Sequence, residues 1–198
     1  MADRDVARAL LDAVDAALRE GAVSSLSLRD VARRAGVSHA SPAHFFGNKA
    51  GLLTAFAVRG FQSLAAAVLG EVVASSPQDG PSMLAAIGRG YVRFAIAEPS
   101  LFEVMFRADV LDVRDVALTD ATQSAYALLI STVEQCAREG ALTGRDPAVV
   151  AIAAWSMVHG LASLWTSGWL AGRSPVDDPN QLAALVGDLF VDAVVRHR

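Results

Sequence analysis

Cysteine is almost absent from this chain: Cys136 is the only one among 198 residues, so no intrachain disulfide can form, which fits a reducing, cytoplasmic setting. No secretion signal is expected, because MADRDVARAL mixes acids and bases where an export signal carries an uninterrupted apolar run. Glycine-rich phosphate loops are missing, the histidines at 39, 44, 159 and 197 lack metal-ligand spacing, and Cys136 has no activating partner legible in the sequence. The chain is therefore not expected to be an enzyme, and neither a cofactor nor a metal is expected. Strand-period alternation, internal repeats and low-complexity tracts are lacking too, which leaves helices.

Apolar residues at helical spacing run through the whole chain. Val6, Leu10, Ala13, Val14, Ala17 and Leu18 share one face over residues 3–20, with Gly21 as a stop. Ser27 is a natural N-cap for LRDVARRAG, whose Leu28, Val31, Ala32 and Ala35 turn inward while Arg29, Arg33 and Arg34 stay outside. Gly36 supplies a tight turn, Val37 plugs the angle, and Ser38 is expected to cap a second short helix, HASPAHFF. Asn48 then caps a long helix that crosses between two halves of the molecule, SSPQDGPS at 75–82 breaks it, and a stripe from Met83 to Ala95 ends at Glu98-Pro99. A short LFEVMF helix, a stripe over 115–139 stopped by Gly140, an uncharged run over 148–172 and a last stripe from Leu182 to Val194 complete about nine helices. The expected fold is all-α: a three-helix helix-turn-helix domain over 1–47 joined to a larger helical domain for ligand binding and dimerisation over 48–198.

A helix-turn-helix needs a small residue where its helices cross, a sharp turn and an apolar plug, and Ala32, Gly36 and Val37 match in type and spacing. A helical hairpin inside any all-α protein matches the same pattern. Charge distribution favours the nucleic-acid reading: residues 1–60 carry 8 basic and 6 acidic residues, whereas the remainder carries 9 and 15. On chemistry, His39, Ser41 and His44 offer donors or acceptors to base edges, and Ala40 and Pro42 offer apolar contact to a thymine methyl. Ser27, Arg29 and Lys49 suit phosphates, which position without specifying, and Ser38, at the start of the second short helix, is counted with the DNA-binding residues. Phe45 is expected on the sugar-phosphate backbone or on the first helix, and Phe46 in the core.

The stretch LRDVARRAGVSHASPAHFFGNKAGLL, with Phe46, Asn48 and Lys49 at its end, resembles the DNA-binding domain of the TetR (tetracycline-repressor-like) family. Trp155, His159 and Gly160 in WSMVHG look like the Trp-His-Gly signature of one class of TetR ligand-binding domain. The resemblance implies a DNA-binding transcriptional regulator, most simply a repressor, that binds a double-stranded operator. The chain departs from the family pattern at Ala43, where an aromatic residue is usual and a phosphate-contacting tyrosine is thereby missing.

One recognition helix reads too few base pairs, so a homodimer on pseudo-palindromic DNA is expected, joined through residues 148–172 and 180–197, as the resemblance also implies. Phe61, Tyr91, Phe94, Phe102, Met105, Phe106, Tyr126, Trp155 and His159 are the candidate lining of a pocket for a small, largely apolar effector, although core packing is the ordinary role of aromatic and methionine stripes and accounts better for most of them. His159 is either hydrogen-bonded internally or the polar handle of that pocket. Two other classes fit parts of the sequence. A helical adaptor that binds only protein would keep the dimer surface, and the uncharged run over 148–172 is long enough for a bilayer. Polar residues dilute that run and no second span is expected, so no membrane association is predicted.

Overall fold

A computed structural model describes residues 3–142 and 144–195; residues 196 and 197 of the expected dimer segment lie outside them, as does the His197 side chain. Nine α-helices follow in order among the described residues: α1 (Asp3–Glu20), α2 (Leu28–Arg34), α3 (Ser41–Phe46), α4 (Lys49–Ser75), α5 (Gly80–Ala97), α6 (Pro99–Met105), α7 (Val116–Arg138), α8 (Pro147–Thr166) and α9 (Pro179–Phe190). No strand occurs among them, so the all-α expectation holds. The chain divides into two compact units, Met1–Phe61 with Ser100–Thr122, and Gln62–Pro99 with Gln123–Arg198.

In the first unit α1, α2 and α3 pack on one another. Leu10, Val14 and Leu18 recur every fourth residue and form the buried face of α1; Val31 and Ala32 of α2 and Leu52, Leu53 and Phe56 of α4 are buried with them. The Ser27 hydroxyl accepts the Asp30 amide at 3.2 Å, and Gly36, at a φ of +67°, lets the Val37 amide reach the Ala32 carbonyl at 3.1 Å. Asn48 caps α4 through the Gly51 amide at 3.0 Å. The second short helix differs from expectation. It begins at Ser41, Ala40 stands at its N-cap position, and the Ser38 hydroxyl bonds to the Ser41 hydroxyl at 2.9 Å instead of capping. Pro42 explains the shift: lacking an amide hydrogen, it is tolerated only in the first turn, which places the start of the helix beside it.

In the second unit α5 packs against both α8 and α9 and is buried along most of its length. A Cβ on Gly90 would stand 2.8 Å from the Cα of Val68, so glycine is what permits α5 to lie this close to α4. Glu71, buried on α4, pairs with Arg89 at 3.1 Å and Arg93 at 2.7 Å. Leu129, Val133, Cys136, Val150, Ala151 and Ala154 form one buried cluster with Val191, and burial pushes the Cys136 thiol up to about 11.

The uncharged run is not one helix. It ends at Thr166, where the Thr166 and Ser167 hydroxyls turn back onto the carbonyls of Ala162 and Ser163 at 2.9 and 2.6 Å and Gly168 adopts a φ of +78°. Nor is α8 buried on all sides: Val150, Ala151, Ala154, Val158 and Ala162 face inward, while Val149 and Ile152 are 62% and 57% exposed. The final stripe divides similarly, with Leu182 and Ala183 buried and Leu185 and Leu189 exposed. A second apolar segment does accompany α8, against expectation: α4 and α8 both have the length and composition to cross a membrane, although half of the most apolar stretch of α4 is buried inside the chain.

Candidate functional site

The turn after α2 carries an exposed surface made of Ser38, His39, Ala40, Ala43, His44 and Gly47. Ser41, Phe45 and Phe46 are half-buried, and Pro42 is buried. Pro42 therefore belongs to the packed side of α3 and does not offer a thymine contact, a consequence of α3 starting two residues later than the sequence suggests. His44 stands edge-on to Phe45, with ring centroids 5.0 Å apart, and Phe45 lies 6.3 Å from Phe46. In the sequence Ala43 figures only as the loss of an aromatic residue; its exposure follows from helical periodicity once the register begins at Ala40.

The positive charge of the N-terminal segment is largely engaged within the protein. Arg8 pairs with Asp5, Arg19 with Asp15, Arg33 with Asp30, Arg34 with both Asp30 and Glu20, and Arg59 with Asp12. The hydrogen bonds of Arg34 hold the Glu20 and Asp30 carboxyls below the usual carboxylate range. Lys49 directs its ammonium at the carbonyls of Val23 and Ser24, at 2.9 and 3.3 Å, tying the start of α4 to the turn that precedes α2. A lysine has three N–H donors, so one remains for an external acceptor. Arg29 is exposed, and neither it nor Arg4 has a partner among the described residues. Of the residues expected to meet phosphate, Ser27 caps α2, Lys49 is held by two carbonyls, and Arg29 alone presents an uncommitted charge.

The nine residues expected around an effector fall into two groups. In the first unit, Phe106 packs edge-on against Phe61 and Phe102, with centroids at 5.5 and 5.7 Å, and Met105 is buried. In the second unit the Tyr91 hydroxyl bonds to Nδ1 of His159 at 2.8 Å, and the Trp155 indole bonds to the same phenol. Trp155 in turn packs against Tyr126 at 5.6 Å and His159 at 6.4 Å, while Phe94 is buried on α5. His159 is thus hydrogen-bonded internally. Burial pushes its pKa down, which keeps the ring neutral at pH 7, and pushes that of the Tyr91 phenol far up. A separate open groove of about 410 Å³ in the second unit is lined by residues that include Arg89, Asp188 and Asp192 and by none of these nine.

Comparison with known proteins matches the chain in two successive parts. The sequence model for bacterial regulatory proteins of the tetR family matches residues 10–64, and that for the tetracyclin repressor-like C-terminal domain matches residues 84–189. Among solved structures, a protein of unknown function from Rhodococcus sp. RHA1 is 28% identical, with a TM-score of 0.82 and 96% of each chain covered. The TetR family regulator PfmR from Thermus thermophilus is 18% identical, with a TM-score of 0.72 over 92% of this chain and 97% of that one. FadR from Bacillus subtilis, solved with stearoyl-CoA, is 15% identical, with a TM-score of 0.78 over 94% and 98%. At those last two identities the likeness is one of fold. No curated protein matches the chain. The C-terminal match alone spans more than half of the residues, and the chain belongs to the TetR family of bacterial transcriptional regulators.

Proposed function

We propose that this protein is a cytoplasmic, homodimeric repressor that leaves a pseudo-palindromic operator when a small, largely apolar effector binds. Residues 1–47 read the DNA and residues 48–198 bind effector and partner. The observation that carries the reading is the capped helix-turn-helix of α2 and α3, with Ala32 fully buried at the crossing and the turn side of α3 exposed. His39, Ala40, Ser41 and His44 face base edges, Phe45 packs near the sugar-phosphate backbone, and Arg29 with the remaining N–H of Lys49 meets phosphates.

Dimerisation through residues 148–172 and 180–197 is supported by the exposed apolar side chains Val149, Ile152, Leu164, Leu185 and Leu189, an unusual amount of uncovered apolar surface for two neighbouring helices. The effector reading draws on the aromatic groups at Phe61, Phe102 and Phe106 and around Tyr91, Trp155 and His159, with Trp155, His159 and Gly160 as its Trp-His-Gly signature, and on FadR, which carries a long acyl chain on the same fold. The effector needs only to prefer the conformation that does not fit DNA. Selection from random duplex DNA tests function, symmetry and half-site spacing together, the expected product being a palindrome with half-sites about 34 Å apart. Gel filtration at micromolar concentration that returns a monomer would remove the dimer. Tryptophan fluorescence and operator affinity both unmoved across a broad screen of apolar compounds would remove the effector.

A further inference from the structure

We infer that Ala43, together with Ala40, reads thymine methyl groups in each operator half-site, so that methyl contacts carry sequence recognition here beside whatever the imidazoles of His39 and His44 contribute. The inference rests on the DNA-binding reading above and names what that surface recognises.

Ala40 already has helical dihedrals, φ −81° and ψ −19°, so the register of α3 runs back to it. Ala40, Ala43, His44 and Gly47 then lie at i, i+3, i+4 and i+7, one face of the helix, and all four are exposed. Two of these positions present a methyl group and one presents no side chain. The groups that ordinarily read purines are missing from this face. Guanine is read by the bidentate donors of arginine or lysine, and adenine by the paired donor and acceptor of asparagine or glutamine. Between Arg34 and Lys49 the sequence holds no arginine, lysine or glutamine, and its single asparagine, Asn48, has its side-chain carbonyl engaged by the Gly51 amide. The hydroxyls of Ser38 and Ser41 bond to each other, and Pro42 is turned inward.

What remains for the bases is two methyls flanked by the imidazoles of His39 and His44. In the major groove only thymine displays a methyl, so an apolar reader selects thymine. Short side chains at positions 40, 43 and 47 also let the helix approach the bases closely, which methyl-to-methyl contact requires. A bulkier side chain at position 43 would hold the helix further from the bases.

The test begins with the palindrome that the wild-type protein enriches from random DNA. Thymines are then replaced by deoxyuridine, one symmetric pair at a time, which deletes the methyl and leaves the pairing unchanged. Removal of the methyls read by Ala43 is expected to weaken wild-type binding about fourfold per half-site, or about sixteenfold for both. Ala43→Gly is expected to lose most of that sensitivity at this pair alone, and Ala43→Ser, which keeps a Cβ in the short helix, supplies the same readout if glycine frays it. Affinity within twofold for uracil at every thymine pair, or the full penalty retained by both variants, overturns the inference while leaving DNA binding intact. No enriched palindrome at all removes the DNA-binding reading and this inference with it.

Discussion

Glu71 in the second unit and Asp30 in the first each hold two arginines, but in different surroundings. Glu71 is 8% exposed, wedged between α4 and α5 where Gly90 lets the two backbones close up, and its partners Arg89 and Arg93 lean in from α5. Asp30 sits near the start of α2 with Arg33 and Arg34 one turn further on, and the Arg33 side chain is 67% exposed. A carboxylate taken out of water has to keep its partners, because nothing else replaces the lost hydration. A surface carboxylate exchanges its partners with water and salt at little cost. The ion pairs of Glu71 therefore hold α5 against α4, whereas the exposed Arg33 can exchange Asp30 for solvent or an anion.

The largest expected effect comes from breaking the buried side of that comparison. Glu71→Ala removes the buried carboxylate that Arg89 and Arg93 share, and is expected to lower the unfolding free energy by about 2 kcal/mol, read from urea denaturation, because both arginines reach solvent once it is gone. Acid titration gives the same contrast a sign. Burial pushes the Glu71 carboxyl up, but its bonds to Arg89, Ser75 and Arg93 outweigh this and hold it below its ordinary 4.5. The stability it contributes is thus complete above about pH 4.5 and is lost as pH falls through the lower, folded value. Glu71→Gln is expected to flatten that acid limb; an unchanged limb would mean that the pair does not form. Next in size is Tyr91→Phe, which deprives Nδ1 of His159 of its phenol partner and is expected to cost about 1–2 kcal/mol. A variant as stable as the wild type would make the Tyr91–His159 bond incidental.

The fold was legible because its signals are local. The Ser27 cap, the Gly36 turn, the Asn48 cap and the Pro99 break each depend on a few adjacent residues, and the structure places each of them where the pattern does. Helix ends set by competing bonds were harder. Ser38 looks like a cap until its hydroxyl is found on Ser41, and the run over 148–172 looks continuous until Thr166 and Ser167 bond backwards. Partners distant in sequence were not legible at all: nothing local announces that Lys49 reaches Val23, that Thr54 accepts the Asp112 amide at 2.9 Å, or that Tyr91 meets His159. For the same reason the exposed arginines of α2 looked equivalent in the sequence, although only Arg29 is uncommitted.

Two smaller effects sharpen the contrast from the exposed side. Ser27→Ala removes the cap of α2 and is expected to cost about 1 kcal/mol by denaturation, with operator affinity falling alongside, because α2 supports α3. Asp30→Asn is expected to move the denaturation midpoint much less than Glu71→Ala does, since its Arg33 pair is exposed, its Arg34 pair is only half-buried, and Arg34 keeps Glu20. Its effect appears in DNA binding. Arg33 loses its carboxylate and Arg34 keeps only one, so each subunit gains a net positive charge beside the reading helix. The plot of log affinity against log salt is then expected to steepen by about one for each phosphate recruited per subunit, with tighter binding at low salt. Glu71→Gln, measured in the same titration, is expected to leave that slope alone. If Asp30→Asn destabilises the fold as Glu71→Ala does, or leaves the salt slope unchanged, the surface pairs are structural too and the contrast between the two carboxylates fails.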